Sequence, residues 1–212
     1  MEFSQFKNKI AVLKTQKIGG LTAQLKLAPS VRLKYNIDEI AAYNPKKAAV
    51  LAIFYPNKKK QAVFLLTKRA NYKGTHSSQI SFPGGKIHKE DTTLQETALR
   101  ETYEEVGISP GSVEIVRVLT PVYIPPSNFL ATPFIGSTET MPSFLRNYEV
   151  AEIIEVLVSD LLDDATLATV NITNTYMDNR TVPCFMLNGY AVWGATAMML
   201  SEIKELLKCS FK

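Results

Sequence analysis

Apolar positions in this chain recur in two rhythms. Phe3, Phe6, Ile10 and Leu13 return at helical spacing, which predicts an N-terminal amphipathic helix that docks one face on the body. Gly19-Gly20 and Pro29 then break the pattern into loop. Two short apolar runs follow, Ala48 to Tyr55 and Ala62 to Leu66, separated by Pro56-Asn57-Lys58-Lys59-Lys60. Unbroken apolar runs of that length predict a hairpin covered on both faces, as in a sheet packed between helices. The lysine triplet reads as a solvated loop tip.

Gln79 to Phe82 reads as a third strand, ended by Pro83-Gly84-Gly85. A helix is predicted from about Thr92 to Val106, with Gly107 as its C-terminal stop. Val113 to Pro121, Ala131 to Gly136 and Val150 to Val156 read as later strands, and Tyr123 to Asn128 as a Pro-rich loop. Gly189 to Leu207 reads as a closing helix, with Trp193 a core aromatic upon it. Strands and helices interleave, so the predicted class is α/β, with a mixed central sheet between helices. No repeat or low-complexity linker interrupts the chain. The expectation is one domain over 1–212 with a helical extension at about 1–40, which either packs on the body or forms a homodimer contact.

Composition narrows the function. At 212 residues, 46% apolar and 21% charged, the chain is neither disordered in bulk nor a coiled coil. A formal net charge of +4 is too weak to imply nucleic acid, yet it favours a small polyanionic ligand. The longest apolar run, Ala48 to Tyr55, falls far short of the ~20 residues of a membrane helix, so no membrane association is expected. The opening residues mix charges into every turn, unlike a secretory signal. Cys184 and Cys209 lack Cys-x-x-Cys pairing, which argues against a disulfide framework or structural zinc and for a cytoplasmic location. Gly-x-Ser-x-Gly, the P-loop and Gly-x-Gly-x-x-Gly are all missing.

The chemistry concentrates in one stretch. On a wheel at about 100° per residue, Leu94, Ala98, Thr102, Val106, Leu99 and Tyr103 fill the half-circle expected to pack on the sheet. Glu101, Glu104 and Glu105 fall within about 100° of one another at its edge. Carboxylates at i, i+3 and i+4 repel by roughly 0.2–0.5 kcal/mol per pair, which invites a cation. An all-oxygen set suits Mg²⁺ or Mn²⁺ better than zinc. Arg100 can pair with Glu104, and Gly84-Gly85 lets backbone approach a metal or a phosphate. Such an arrangement suits hydrolysis of a phosphate ester or anhydride, in which the ions neutralise phosphate oxygens and acidify the attacking water. A Glu-rich surface helix is the alternative for the glutamates taken alone. The glycine turn, the Arg-Glu pair and the terminal glycine at fixed offsets make the joint signal far more specific.

These residues resemble the Nudix box, Gly-x5-Glu-x7-Arg-Glu-U-x-Glu-Glu-x-Gly-U, where U is apolar. From Gly85, five residues lead to Asp91 in place of Glu, and eight rather than seven precede Arg100. That variation is similar to the coenzyme A diphosphatase-like branch of the family. The resemblance rests on Phe82-Pro83-Gly84-Gly85-Lys86, Asp91, Thr97-Ala98-Leu99-Arg100-Glu101 and Glu104-Glu105. Leu65 to Arg69, His76 to Phe82, Tyr123 to Asn128, Asn147 to Val150 and Trp193 to Ala197 look similar to the same branch, so the likeness spans roughly 45 to 207. Ser78 and His88 depart from it, standing where the branch usually has Gly and an acid.

The resemblance implies an α/β/α sandwich that hydrolyses coenzyme A or its thioesters into 3′,5′-ADP and a 4′-phosphopantetheine part. It implies Glu101, Glu104, Glu105 and the Gly85 carbonyl as ligands of Mg²⁺ or Mn²⁺, with Arg100 holding the glutamates and one of them, Glu101 foremost, orienting or deprotonating the water. For the anionic substrate, Lys68 and Arg69 are candidates, a solvated strand end being the alternative. His76 either bonds a phosphate or satisfies a loop carbonyl. Glu149 either supplies a further acid or is a strand-edge residue. Tyr123 and Phe129 are candidates for gripping the base or the pantetheine. Two other readings stay open: hydrolysis of another nucleoside diphosphate derivative, such as a dinucleotide or nucleotide sugar, and a catalytically silent nucleotide binder.

Overall fold

The rings of Phe6 and Phe54 stack with centroids 5.0 Å apart, which fixes the first helix against the central sheet. The computed structural model describes residues 1–34, 37–71, 79–174 and 177–210. Helix α1 (Phe3–Leu13) buries Phe3, Phe6, Ile10 and Leu13, the four positions its spacing predicts. Helices α2 (Gly20–Leu25) and α3 (Ile37–Ala42) precede strands β1 (Lys46–Pro56), β2 (Ala62–Arg69), β3 (Ile80–Ser81) and β4 (Gly84–Lys86). Helix α4 (Leu94–Val106) follows, then β5 (Glu114–Val118), β6 (Val122–Ile124), β7 (Phe129–Ser137) and β8 (Val150–Leu157). A short helix α5 (Val158–Leu162), strands β9 (Leu167–Asn174), β10 (Met177–Leu187) and β11 (Tyr190–Trp193), and helix α6 (Gly194–Ser210) complete the chain.

Among the described residues β1 to β8 form one sheet, ordered β3-β2-β1-β7-β5, with β4 on β1, β6 on β7 and β8 on β2. Strands β1 and β7 run parallel while the other pairs are antiparallel, so the sheet is mixed. Ala52 and Phe54 join the core with α1 and α6, whereas Leu51, Ile53 and Tyr55 join the core with Ala98 and Val106 of α4. Burial on both faces explains why β1 is apolar throughout. Large-to-small changes at such positions typically cost about 3–5 kcal/mol for a phenylalanine.

Helix α4 is bounded by strong local signals. The Thr93 hydroxyl accepts from the Glu96 N–H, and Gly107 takes a left-handed conformation at φ 79°. Its packed face is rotated from the expected one: Thr97, Ala98, Thr102, Glu105 and Val106 are buried, while Tyr103 is exposed. Tyr103 lies about 180° from Leu94 on the wheel, which turns it away from the sheet.

The C-terminal segment also differs from its expectation. Residues 190–193 form β11, antiparallel to β10, and the helix begins only at Gly194. Asn188 and Gly189 both have positive φ, the geometry of a tight hairpin turn, so the chain reverses as strand before it turns helical. Trp193 therefore ends a strand. Of the Pro-rich loop expected at Tyr123 to Asn128, residues 123–124 belong to strand β6 and 125–127 form a 3-10 turn.

The N-terminal segment is pinned to α6 by a buried carboxylate. Glu202 accepts from the Gly20 N–H at 3.1 Å, the Gln24 amide at 2.8 Å and the Thr120 hydroxyl at 2.7 Å. Ser201 Oγ donates to the Ala23 carbonyl at 2.7 Å. No described helix is long and apolar enough to cross a membrane.

Candidate functional site

Burial of the three glutamates follows their angle on α4. Side-chain exposure falls from 51% at Glu104 through 19% at Glu101 to 5% at Glu105. Glu105, about 20° from Leu94 on the wheel, enters the packed face, and Glu101 stands at its margin. Opposite them β4 presents Gly84 and Gly85, held there by antiparallel pairing to Val50 and Ala49 of β1.

Both glycines stand where a side chain would meet a neighbour. The Gly84 N–H donates to Glu105 Oε2 at 3.1 Å. Gly84 has φ 149°, and a Cβ there would come within 2.3 Å of the Ala49 carbonyl oxygen. A Cβ on Gly85 would sit 2.5 Å from the carboxyl carbon of Glu101. The turn thus brings backbone against two carboxylates with no side chain between.

Arg100 organises the outer edge. Its Nε and Nη2 donate to Asp91 Oδ1 and Oδ2 at 2.9 and 2.8 Å, and Nη1 reaches Glu101 at 3.0 Å and Glu104 at 3.2 Å. Nη2 also donates to the Lys86 carbonyl at 3.2 Å, tying α4 to β4. Asp91 further accepts from the His88 N–H and the Thr97 hydroxyl at 2.8 and 2.9 Å. The Arg100 guanidinium holds the Asp91 carboxyl well below the usual carboxylate range.

Arg69 organises the inner edge. Its Nη1 lies 3.7 Å from Glu105 and its Nη2 3.5 Å from Glu149. Glu149 arrives on the loop before β8, which clips onto the end of α4 through Leu145 N–H to Val106 O and Asn147 N–H to Glu105 O, at 3.0 and 3.1 Å. Burial pushes Glu105 up to about 7, although Arg69 and the Gly84 N–H both favour its charged form. Burial raises Glu101 as well, against the pull of Arg100.

Glu101, Glu105, Glu149 and Arg69 line one end of a cavity of about 800 Å³, together with Gly84, Gly85 and Lys86. Among the described residues no three acidic, histidine or cysteine side chains converge in a ready-made metal cage. The donors are nonetheless all oxygen, and a buried carboxylate whose proton affinity is raised is one that a cation would relieve. The set fits a hard divalent ion.

The structure places the other expected residues unevenly. Glu104 turns to Arg100 and is not among the cavity-lining residues. Lys68 lies over the Tyr190 ring, 5.3 Å from its centroid, and does not line the cavity. Tyr123 is buried, stacked at 6.1 Å on Tyr43, with its hydroxyl donating to Asn128, and is also outside the lining. Phe129 lines it, as does Trp193, which the sequence reading placed in the core. His76 lies outside the described residues. Arg32, Trp193 and Met199 join the cavity from segments remote in sequence, and the Asn188-Gly189 turn was the available signal for Trp193.

The NUDIX domain family model matches residues 45–170. The Uncharacterized Nudix hydrolase NudL of Enterobacter sp. (strain 638) is 36% identical over 164 residues, covering 76% of this chain and 82% of that protein. The protein of the same description from Pectobacterium atrosepticum is 32% identical over 183 residues, covering 85% and 88%. A MutT/nudix family protein from Enterococcus faecalis superposes with a TM-score of 0.53 at 13% identity, over 82% of this chain and 71% of that one, a likeness of fold.

Proposed function

The chain belongs to the Nudix family and is a hydrolase of diphosphate bonds, and from that premise we propose that its substrate is coenzyme A or a thioester of it. The products would be 3′,5′-ADP and 4′-phosphopantetheine or its acyl form. The observation that carries the chemistry is the meeting of Glu101, Glu105, Gly84 and Gly85 at one end of the cavity. The choice of coenzyme A is supported by the Phe82 to Lys86 and Asp91 pattern. Asp91 meets Arg100 in two parallel hydrogen bonds, so the shorter acid and the longer loop still deliver the carboxylate that steadies this arginine.

Glu101, Glu104, Glu105 and the Gly85 carbonyl are the groups proposed to hold Mg²⁺ or Mn²⁺, which when bound supplies charge neutralisation for the diphosphate oxygens and acidifies water. The chain's own residues do the rest. Arg100 orients Glu101 and Glu104 through Nη1. Glu101, the more accessible of the two α4 glutamates that line the cavity, is placed to take a proton from water, and burial has raised its proton affinity toward that task. Arg69 offers its guanidinium to the diphosphate from the same end of the cavity, between Glu105 and Glu149. Phe129 and Trp193 offer flat apolar surface to the base or pantetheine.

We take residues 1–212 as one domain with an N-terminal helical extension. The test is a substrate panel: coenzyme A, an acyl thioester, a dinucleotide and a nucleotide sugar, each with Mg²⁺ or Mn²⁺ and with products identified. Preferred cleavage of the first two supports the reading. Turnover confined to the last two overturns the substrate while keeping the reaction.

A further inference from the structure

The cavity runs past its acidic end, and its lining there includes residues from outside the stretch 45–170 that carries the family match. Pro29, Val31 and Arg32 enter on a 3-10 turn (Ser30–Lys34), closed by Arg32 N–H to Pro29 O at 2.8 Å. Trp193 and Met199 enter from the junction of β11 and α6. Upstream of the turn, Glu202 and Ser201 hold α2 to α6, so this wall is anchored to the body.

Arg32 gives that wall a cation whose position is fixed. Its Nη1 donates to the Tyr123 carbonyl of β6. Across the sheet the order is β4, β1, β7, β6, so three strand spacings, roughly 14 Å, separate the Gly85 strand from the one that holds Arg32. A diphosphate seated beside Glu101 and Glu105 would lie next to Arg69, whereas Arg32 is held on the β6 side of the cavity. Ile124, Trp193 and Met199 line the same cavity and lower the local dielectric, which strengthens any ion pair formed there. A guanidinium also suits the forked geometry of a phosphate monoester.

We infer that Arg32 is a specificity-determining residue that reads a second anionic group, one the substrate carries away from its scissile diphosphate. The inference rests on the coenzyme A reading, in which that group is the 3′-phosphate. Lys68, a sequence candidate for the anionic substrate, lies over the Tyr190 ring outside the cavity lining, and Arg69 stands at the acidic end beside Glu105 and Glu149.

The experiment compares kcat/KM for coenzyme A and for 3′-dephospho-coenzyme A in wild type, Arg32→Gln and Arg32→Lys, with melting temperatures alongside. Gln keeps a donor for the Tyr123 carbonyl while removing the charge. The ratio of the two kcat/KM values should fall about tenfold in Arg32→Gln, the scale of one charge-assisted hydrogen bond. Arg32→Lys should recover part of it. An unchanged ratio in Arg32→Gln, whether or not both rates drop together, overturns the inference, because a merely structural arginine would affect both substrates alike. Wild type inactive on both compounds but active on a nucleotide sugar or dinucleotide overturns the coenzyme A reading instead.

Discussion

Asp91 and Arg100 face each other in two parallel hydrogen bonds, Nε to Oδ1 at 2.9 Å and Nη2 to Oδ2 at 2.8 Å. The same guanidinium reaches Glu101 and Glu104 and the Lys86 carbonyl, so one residue joins the loop, the helix and the glycine strand. Asp91→Asn should therefore lower kcat by about 10- to 100-fold through misplaced glutamates, with KM changed less. Its stability carries a pH signature. The folded pKa of Asp91 is depressed below its ordinary 3.8, so its contribution is complete above that value and is lost as pH falls through and beneath it. Acid unfolding followed by circular dichroism should show wild type ahead of Asp91→Asn at pH 6, with the gap closing below about pH 4. A gap independent of pH would contradict the ion pair.

Gly84 and Gly85 separate structure from function. At Gly84 an added Cβ meets the fixed Ala49 carbonyl, and the positive φ adds strain, so Gly84→Ala should destabilise the fold by about 2–4 kcal/mol. At Gly85 the added Cβ meets the side chain of Glu101, which can move aside. Gly85→Ala should melt within a few degrees of wild type yet lose most activity. Equal melting points for the two variants would refute this division.

Glu105 is costly to keep charged. Its folded pKa is raised to about 7 from an ordinary 4.5, so in the metal-free protein stability falls as pH rises between those values. Glu105→Gln escapes that loss and can still accept from the Gly84 N–H. At pH 8, with a chelator present, it should be more stable than wild type, on the order of 2 kcal/mol, and the difference should shrink at pH 5. Urea unfolding at both pH values measures it.

Glu202 collects three donors in a buried setting. Glu202→Ala leaves them without their acceptor and should cost about 2–4 kcal/mol. Because those donors sit on α2 and beside β6, the wall that carries Arg32 should loosen too. Hydrogen exchange across residues 20–32 should rise more than across α4.

Most of α4 and its glycine turn was legible in sequence because each feature is local. Thr93 caps, Gly107 terminates, and Gly85, Arg100 and the glutamates keep fixed offsets on one helix and one turn. The N-terminal helix was equally plain, since Phe3, Phe6, Ile10 and Leu13 mark one face. The β9 and β10 hairpin was not, because Leu167 to Asn174 mixes Thr and Asn into its apolar positions and offers little contrast between faces. Arg32 and Met199 were invisible for another reason: they stand 167 positions apart in the chain, and the packing of α2 on α6 brings their segments to one cavity. Tyr103 went wrong through too wide an arc on the wheel.

The most direct measurement is product analysis after incubating wild type and Glu105→Gln with coenzyme A and Mg²⁺ or Mn²⁺. Wild type should release 3′,5′-ADP and 4′-phosphopantetheine, with turnover in the folded variant lower by at least about 100-fold. Near-equal turnover in the two proteins would contradict the assignment of Glu105 and of the site built around it.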